Sequence, residues 1–393
     1  MRLAIYSDFG YRREGDRLWA ELSVVLFLAG LRPWVDGVTL VGRLDDRQGR
    51  WAYAVPPDVD FAGLAHYSSL ARPLEAAGAL LGSVRRFWRV LDRVDTVWLL
   101  GPHPLAIVFA LLAWSRRRRV ALGVRQDLPA YVANRHPRSR SLQAAAIALE
   151  GAWRLLARVC PVVVVGPDLA RRYRSARRLL PVTISLVSAD DLEGPAALDR
   201  RDYDGELSVL SVGRLDAEKN PLLLADVLAA LRADEPRWKL AVCGEGSLAD
   251  ELGRRLEALG VAEHAELLGF VALDQELPAL YRASHLLLHC SWTEGVPQVL
   301  LEASAARLPM VATAVGGVPE AAEGAALLIP AGDAAAAAQA LTRLAGDGEL
   351  RRALTEVASA RAREHSLEAE TGRVAAFLLE ADRAVEGAGR PPR

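Results

Sequence analysis

The fold is decided by the stretch Ser291-Trp-Thr-Glu-Gly-Val-Pro-Gln-Val-Leu-Leu-Glu-Ala303. The apolar run His285–His289 just before it predicts a short buried strand. A turn follows, and Pro297 is well placed to begin a helix. Glu294 is therefore expected on a loop at the carboxyl end of a strand. Glu302 is expected more than one turn inside the following helix.

The start of this helix suggests a binding site. Amides around Gly295, Val296 and Gln298 would point out of the helix N-terminus, where they suit an anion or sugar hydroxyls. With carboxylates on both sides, such a helix end can hold a ligand that carries hydroxyls and phosphate. Acids at this spacing are common, however, so spacing alone leaves Glu294 open as a turn residue and Glu302 as a helix-surface acid.

The composition describes a soluble globular protein of two to three domains, with 393 residues, 51% apolar and 25% charged. Its cations are almost all Arg, because the 48 basic residues include only two Lys, Lys219 and Lys239. The net charge is −1, but 29 Arg and 19 acids give residues 1–200 a charge of +10, and 19 basic and 30 acidic residues give residues 201–393 a charge of −11. The basic half favours an anionic partner, such as a phospholipid surface or a phosphorylated acceptor.

Other classes of protein are disfavoured. The arginines are dispersed and accompany no nucleic-acid-binding motif, so no nucleic-acid partner is expected. Cys160, Cys243 and Cys290 are too few and too scattered for a disulfide framework or a zinc site, which fits a reducing compartment. The run Arg2–Ser7 already reads as a strand, so no signal peptide is expected. The sequence predicts a cytoplasmic protein, with peripheral contact at the inner membrane face as an option.

Short apolar runs alternate with helical segments along the chain, which predicts parallel, doubly wound sheets. We predict an N-terminal domain over 1–195, a C-terminal domain over 205–366 and a closing helix over 367–385 that crosses back to the first domain. The charged segment 190–205, which is interrupted by Pro and Gly, is expected to be a linker. Two similar α/β domains imply an interdomain cleft, where ligands meet the carboxyl ends of the strands.

One apolar stretch of the first half could be mistaken for a membrane span. Val97–Trp114 lacks charged side chains over nearly the length of a membrane span, but Gly101-Pro-His-Pro104 divides it into a strand and a helix. The predicted strands are Leu3–Tyr6, Val38–Val41, Val94–Leu100, Val120–Val124, Val162–Val165 and Val182–Val187. The predicted helices are Arg17–Leu28, Leu105–Trp114 and Ser141–Val159.

Three loops of the second half follow predicted strands and should converge on the cleft. The first, 213–220, places Arg214 and Lys219 at the start of a helix whose N-terminus is itself positive. These cations suit a diphosphate, whose charge grows when it departs as a leaving group. Because Lys is scarce in this chain, we favour this role over a pair of surface cations. The other two loops, 244–246 and 313–320, are glycine-rich and allow a ligand to approach the backbone closely.

Together these motifs resemble one family. Gly-Arg…Lys-Asn is followed by Gly-Glu-Gly, by Leu-Gly-Phe-Val at 268–271, by Glu-Gly-Val-Pro-x4-Glu-Ala and by Val-Gly-Gly-Val-Pro-Glu. In this order, over roughly 207–330, the set resembles the retaining GT-B glycosyltransferases of family 4, the glycosyl transferases group 1 type. The first half matches the family only loosely. The resemblance implies the GT-B fold, in which two Rossmann-like domains face a cleft, the first binding the acceptor and the second the donor.

The resemblance also implies roles for individual residues. Arg214 and Lys219 would bind the diphosphate of a nucleotide-sugar donor. Glu294 would lie against the donor sugar, and Glu302 would hold the ribose hydroxyls. Neither a divalent metal nor another cofactor would be needed. The predicted donor site consists of Gly213, Arg214, Lys219, Gly244, Phe270, Val271, Glu294, Gly295, Val296, Glu302, Gly316 and Gly317.

The loop after the first strand departs from the family, which often has paired glycines there. Gly10 and Gly15 are single glycines in this chain, and Gly15 is expected to precede a helix. Arg12 or Arg13 could reach a phosphate. These four residues are the predicted phosphate loop of the first domain.

Two polar residues in the first domain are candidates for contacting the acceptor hydroxyl. His103 follows a predicted strand, where the family often has a histidine near the acceptor, although a histidine in a proline turn can equally make local hydrogen bonds. Asp127 follows the next strand. With Arg214, Lys219 and Glu294 they form the predicted catalytic set. No side chain is identified as a base, because the family picture is front-side attack in which the departing diphosphate helps to take the proton.

A further segment, Ser83–Arg93, places Phe87, Trp88 and Leu91 among arginines at near-helical spacing. Such a segment is either an amphipathic helix packed on the sheet or a contact with an anionic membrane surface. The second alternative is relevant because some members of the family glycosylate lipid acceptors.

The sequence thus predicts a retaining, metal-independent glycosyltransferase. It would move a sugar from a nucleotide donor to a hydroxyl of a glycan, a glycolipid or a small molecule, and a lipid-linked acceptor is one option. Two alternatives stay open, a nucleotide-sugar epimerase of the same fold and a catalytically silent nucleotide-sugar-binding protein.

Overall fold

The computed structural model describes residues 1–45, 51–67, 73–273 and 276–387. The chain divides into two compact units. The first comprises Met1–Ile184 together with the chain from Leu367 onward, and the second comprises Ser185–Ser366. Each unit has helices packed on a mainly parallel sheet, so the predicted α/β class with two parallel-sheet domains is confirmed.

The sheet of the first unit has nine strands among the described residues. They are β1 (Arg2–Glu14), β2 (Arg17–Ala20), β3 (Gly37–Leu44), β4 (Tyr53–Ala54), β5 (Asp60–Leu64), β6 (Thr96–Gly101), β7 (Arg119–Val124), β8 (Pro161–Val165) and β9 (Arg178–Val182). The parallel part has the order β5-β3-β1-β6-β7-β8-β9, and β2 and β4 extend it in antiparallel fashion. Leu3–Tyr6 of β1 lies between β3 and β6 and is fully buried, as expected for a central parallel strand.

The first strand is longer than predicted. It continues to Glu14, turns at Gly15, whose φ is +58°, and returns as β2. The predicted helix Arg17–Leu28 is therefore wrong over its first half. In β2 the buried Leu18 and Ala20 alternate with more exposed neighbours, which is the period of a strand.

Six α-helices lie in the described residues between Met1 and Ile184. They are α1 (Val24–Ala29), α2 (Pro73–Val90), α3 (Pro104–Ser115), α4 (Leu128–Arg135), α5 (Arg140–Ala157) and α6 (Pro167–Arg172). In the core, the ring of Phe87 from α2 stacks on Phe109 from α3 at 3.8 Å. The predicted strand Val182–Val187 is wrong, because β9 pairs with β8 only as far as Val182.

The second unit contains a six-stranded, entirely parallel sheet in the order β12-β11-β10-β13-β14-β15. Its strands are β10 (Leu207–Val212), β11 (Trp238–Cys243), β12 (Ala265–Gly269), β13 (Leu286–His289), β14 (Met310–Thr313) and β15 (Leu327–Ile329). Its helices are α7 (Ala196–Asp199), α8 (Leu223–Asp234), α9 (Ala249–Ala258), α10 (Glu276–Ala283), α11 (Gln298–Ala305), α12 (Val318–Ala321), α13 (Ala334–Gly346) and α14 (Gly348–Glu364).

The segment 190–205 is part of the second unit and not a free linker. The guanidinium of Arg201 donates five hydrogen bonds to backbone carbonyls, at 2.7–3.3 Å. Tyr203 donates to the carbonyl of His285 at 2.9 Å. These contacts place the division of the chain at Ile184/Ser185, earlier than the predicted boundary at residue 195.

The last helix, α15 (Leu367–Gly387), belongs to the first unit. Trp34 Nε1 donates to Thr371 Oγ1 at 3.2 Å, and Arg178 pairs with Glu380 at 2.8 Å. Within the described ranges, none of the helices combines the length and the apolar character that crossing a membrane requires. The stretch Val97–Trp114 forms β6 and α3, as predicted.

Candidate functional site

Three loops meet at the carboxyl edge of the second sheet. Hydrogen bonds between backbone groups join them: Leu215 N donates to Glu245 O and Trp292 N donates to Glu218 O, both at 2.9 Å. These loops follow β10, β11 and β13, which are adjacent strands. Ligands of open parallel sheets bind at this edge, so the loops form the candidate site of the second unit.

The paired glycines bring these loops together. A Cβ on Gly244 would lie 1.8 Å from Gly213 O, and a Cβ on Gly316, whose φ is +53°, would lie 1.9 Å from Glu294 O. A Cβ on Gly317 would lie 2.4 Å from Gly295 O. We expected these glycines to let a ligand approach the backbone closely. In the structure they let neighbouring loops approach each other.

The centre of the site is an ion pair between Lys219 and Glu294. Lys219 Nζ lies 2.5 Å from Glu294 Oε1, which also accepts from Ser291 Oγ at 2.6 Å. His289 Nε2 lies 3.0 Å from the same oxygen. The Glu294 side chain is only 8% exposed.

The charge state of Glu294 follows from these contacts. Burial raises the pKa of this carboxyl, but the hydrogen bond from His289 and the charge of Lys219 outweigh burial and bring the pKa to about 2. Glu294 is therefore ionised throughout the physiological pH range and holds Lys219 in place.

Arg214 is also paired with acids. Its side chain is 63% exposed, and its guanidinium contacts Asp216 at 2.7 Å and Glu218 at 2.5 Å. Both predicted diphosphate-binding cations therefore have carboxylate partners in the ligand-free protein. An incoming diphosphate would compete with these carboxylates.

A cavity of about 100 Å³ joins these elements. Its lining includes Gly213, Arg214, Lys219, His289, Ser291, Pro297, Gln298 and Val299. The residue before α11, Pro297, makes no capping hydrogen bond through its side chain, and the helix begins at Gln298, one residue after the predicted start. The cavity is smaller than the roughly 300 Å³ at which pockets for small molecules begin, so it can enclose only part of a nucleotide sugar.

Glu302 lies on α11 and accepts a hydrogen bond from the Tyr281 hydroxyl at 2.7 Å. Burial raises the pKa of Glu302, although the bond from Tyr281 acts in the opposite direction. The ionised form is therefore held in an unfavourable place at neutral pH. An unfavourably placed charge is typical of a residue kept for binding rather than for stability.

Replacing Glu302 with Gln is expected to stabilise the protein at neutral pH and to weaken nucleoside-diphosphate binding by about tenfold. The stability gain should disappear as the pH falls below about 4.3, where the unfolded carboxyl is also protonated. Chemical unfolding at several pH values and calorimetric titration of UDP, GDP and ADP measure the two effects.

The exposed loop residue Glu323 provides the control for this prediction, because Glu323→Gln should change neither quantity. Binding by Glu302→Gln at the wild-type level would remove Glu302 from the donor site. A loss of stability at neutral pH would contradict the interpretation of its raised pKa.

Phe270 and Val271 follow β12 beside the Gly244 loop. The amide of Gly244 donates to the carbonyl of Gly269 at 2.7 Å. Phe270 is 38% exposed, whereas Val271 packs against the core cluster beneath the sheet. The backbone of Phe270 and Val271 therefore lies near the loops that follow β10 and β11. A segment that contacts the nucleotide base would have to lie there.

The predicted phosphate loop of the first domain does not precede a helix, and its contact with a phosphate stays a prediction. Gly10 lies within β1, where its Cβ position would be 3.2 Å from the Trp51 ring, and Gly15 forms the β1–β2 turn. Arg12 contacts Glu14 at 3.2 Å, and Arg13 is exposed on the same hairpin. No helix begins at Gly15, so these residues lack the N-terminal amides on which the prediction depended.

His103 lies in a compact polar network at the carboxyl edge of the first sheet. Its Nδ1 accepts from the Leu105 amide at 3.3 Å and lies 3.0 Å from the Tyr6 hydroxyl. Its Nε2 lies 3.3 Å from Tyr67 Oη and 3.5 Å from Asp8 Oδ2. Because the Leu105 amide can only donate, the neutral ring carries its proton on Nε2.

The surroundings of His103 favour the neutral ring. Burial lowers the pKa of His103 and the Arg43 guanidinium lowers it further, although Asp8 acts in the opposite direction. The structure thus shows the local hydrogen-bonding role, in which His103 caps α3. The acceptor contact stays a prediction.

Asp127 is held by contacts within the first unit. It caps α4 by accepting from the Ala130 amide at 3.1 Å, and its other oxygen pairs with Arg172. Arg172 Nε also lies 3.3 Å from the buried Glu150. These contacts give Asp127 a structural role, and its contact with an acceptor stays a prediction.

His289 and Ser291, which contact Glu294 Oε1, were not predicted as residues of the site. His289 ends a run whose three central residues are all Leu, and it was predicted only as part of that buried strand. The available signal was its position, because a polar residue at the carboxyl end of a central parallel strand often faces the ligand edge.

Comparison with known proteins agrees with this architecture. The family model described as glycosyl transferases group 1 matches residues 199–361. The chain is 36% identical to a D-inositol 3-phosphate glycosyltransferase of Corynebacterium jeikeium over 40% of both chains. It is 34% identical to the enzyme of that name from Salinispora tropica over 54% of this chain and 41% of the relative. The chain thus spans about two fifths of the length of these relatives.

Solved structures match over nearly the whole chain. Anabaena HepE in complex with UDP and glucose superposes with a TM-score of 0.71 at 16% identity, covering 97% of this chain and 100% of that one. The sucrose-phosphate synthase from Thermosynechococcus elongatus gives a TM-score of 0.69 at 19% identity, covering 98% and 100%. At these identities the likeness shows the fold alone.

Proposed function

We propose that the protein is a retaining, metal-independent glycosyltransferase that uses a nucleoside-diphosphate sugar, a proposal supported by the match of residues 199–361 to the glycosyl transferases group 1 model. The observation that carries the proposal is the cavity of the second unit, whose lining includes Lys219, the ion-pair partner of Glu294, and Gln298, the first residue of α11. Cations and free amides suit the diphosphate, and the carboxylate suits the hydroxyls of a sugar.

In the proposed reaction, the bond between the sugar C1 and the diphosphate oxygen breaks. The acceptor oxygen forms the new bond to C1 on the same face of the sugar, and the departing diphosphate helps to take the acceptor proton. Negative charge grows on the diphosphate as the bond lengthens. Lys219, Arg214 and the amides of α11 would stabilise this charge more strongly than that of the intact donor, which lowers the barrier.

Glu294 has two roles in this proposal. In the free protein it holds Lys219, and with donor bound it would accept hydrogen bonds from the sugar hydroxyls. Its low pKa keeps it an acceptor at all working pH values. Glu302 would accept from the ribose hydroxyls in the same way.

The acceptor class is left to experiment, because the named relatives differ in it. One, from Campylobacter jejuni, is described as acting on an undecaprenol-linked sugar, and others are described as D-inositol 3-phosphate glycosyltransferases. The acceptor proposed here is a hydroxyl on a lipid-linked or phosphorylated sugar or polyol. The basic character of the first half is compatible with either group.

The test is incubation with a panel of UDP-, GDP- and ADP-sugars in EDTA, with release of nucleotide followed by chromatography. We expect one donor to release nucleoside diphosphate, and an acceptor library read by mass spectrometry to identify the product. NMR of the product should show the anomeric configuration of the donor.

Each other outcome assigns a different function. An isomerised donor without free nucleotide would identify an epimerase. Binding of a donor without turnover across the acceptor library would identify a silent binding protein. Release that EDTA abolishes and divalent metal restores would contradict metal independence.

A further inference from the structure

Large apolar side chains are exposed on one face of the first unit. Of the eighteen exposed large apolar side chains among the described residues, eight lie on or directly after α3, α4 and α5. They are Val108, Leu111, Trp114, Tyr131, Leu142, Ile147, Leu155 and Val159, and we call this set the apolar face. Its most exposed members are Ile147 at 62% and Leu155 at 60%.

The sequence of α3 shows why this exposure is unusual. Pro104–Ser115 contains no Asp, Glu, Lys or Arg, so the helix is apolar on all sides. Its inner side, with Phe109 and Ala113, packs into the core, whereas Leu111 on the outer side is 56% exposed. A helix that is apolar all round is normally covered on all sides.

The same arrangement continues on α5. Its inner side contributes the fully buried Trp153, and its outer side exposes Ile147 and Leu155 with Ala148 and Gly151 between them. The helices connect consecutive neighbours in the order β6-β7-β8, and right-handed crossovers place them on one side of the sheet. The helices that carry the apolar face therefore lie on one side of the sheet.

The charges around this surface are almost all positive. Residues 96–167 contain ten Arg and two acids, Asp127 and Glu150. Asp127 is paired with Arg172, and Glu150 is only 3% exposed. Exposed charge beside the apolar face therefore comes from arginines, among them Arg117, Arg135, Arg138, Arg140, Arg154 and Arg158.

A cavity of about 270 Å³ lies at one end of the face. Trp114, Val159 and Leu378 form apolar parts of its lining. Its lining also includes five arginines, namely Arg117, Arg118, Arg119, Arg177 and Arg178. This arrangement matches a molecule that has an anionic head and an apolar tail.

We propose that the apolar face docks on a bilayer that contains anionic phospholipid. The exposed aliphatic side chains enter the boundary between headgroups and acyl chains, the arginines contact lipid phosphates, and the cavity beside Trp114 receives one anionic headgroup. The excess of positive charge around an apolar centre favours an anionic bilayer over a protein partner, although Asp92 and Glu380 pair with Arg116 and Arg178. This inference does not depend on the proposed glycosyl transfer.

The segment 83–93, for which membrane contact was one of two alternatives, does not provide this surface. Phe87 and Leu91 are fully buried in the core. The guanidinium of Arg116 lies 4.0 Å above the Trp88 ring and covers part of it. The surface lies instead on α3, α4 and α5.

Vesicle sedimentation of the full chain tests the proposal. We expect binding to phosphatidylcholine vesicles that contain phosphatidylglycerol, little binding to pure phosphatidylcholine, and weakening by salt. The triple variant Leu111→Gln/Ile147→Gln/Leu155→Gln and the triple variant Arg117→Gln/Arg154→Gln/Arg158→Gln should each bind at least about tenfold more weakly. Nucleotide release from a soluble donor should be unchanged, which separates this test from that of the function.

Matched controls come from exposed residues of the second unit. Leu259→Gln/Leu328→Gln/Val357→Gln removes apolar side chains of comparable type, and Arg254→Gln/Arg282→Gln/Arg343→Gln removes the same charge. Both controls should bind vesicles as the wild type does. Equal binding to neutral and anionic vesicles, or undiminished binding by either test variant, would overturn the proposal. So would light scattering that shows a dimer which the apolar triple variant dissociates.

Discussion

Replacing Lys219 with Ala is expected to lower kcat by about 100- to 1000-fold. Lys219 Nζ is positioned by Glu294, and both lie beside the cavity into which the N-terminus of α11 opens. A cation in this position stabilises the charge that develops on a departing diphosphate more than it stabilises the bound donor. The loss should therefore appear chiefly in kcat, with a smaller effect on donor binding.

The chain offers a matched control, because Lys239 is its only other lysine. Lys239 lies on β11, is 49% exposed and pairs with Glu206. Lys239→Ala should leave kcat and KM unchanged. The measurement is steady-state nucleotide release with the donor found in the panel, and calorimetric binding of the nucleoside diphosphate. If Lys219→Ala retained wild-type kcat, diphosphate stabilisation by this residue would have to be abandoned.

The second large effect concerns stability. Replacing Arg201 with Ala is expected to lower the free energy of unfolding by about 3 kcal/mol or more, which corresponds to a fall in Tm of roughly 6–12 °C. Arg201 Nε donates to Ser284 O at 2.7 Å, and its terminal nitrogens donate to four other carbonyls. Removing the guanidinium leaves these carbonyls without their donor.

Arg200 is the control for this prediction because it is adjacent and has the same charge. Its side chain is 63% exposed and makes one ion pair, with Glu193. Arg200→Ala should change the free energy of unfolding by less than about 1 kcal/mol. Calorimetric unfolding of the whole chain measures both variants. Equal Tm values for the two would show that the five Arg201 hydrogen bonds contribute little.

The second sheet was predictable because buried parallel strands appear as short apolar runs between turn signals. Leu207–Val212 and Trp238–Cys243 are examples, and the glycine motifs locate the loops that follow them. Lys219 and Glu294 could be placed on neighbouring loops for the same reason. Their pairing could not be predicted, because it depends on which side chains of two loops that are distant in the sequence come into contact.

The errors have a common physical cause, namely tertiary contacts that local patterns do not encode. Arg17–Leu28 contains helix formers, yet Leu18 and Ala20 pack as a hairpin strand against β1. The segment 190–205 has the composition of a linker, yet Arg201 attaches it to the second unit. In the second case a polar side chain binds backbone carbonyls that are distant in the sequence. Composition and periodicity carry no information about such contacts.

The glycines that pack against the backbone of a neighbouring loop limit how the cavity can change in evolution. At Gly244, Gly316 and Gly317 even a methyl group would overlap the main chain of the next loop, so the shape of the recess is set by backbone against backbone. Side chains on the solvent side, such as Trp292 at 52% exposure, are only partly enclosed. Single substitutions of side chains around the opening of the cavity can therefore change the substrate preference, whereas the three glycines tolerate no side chain.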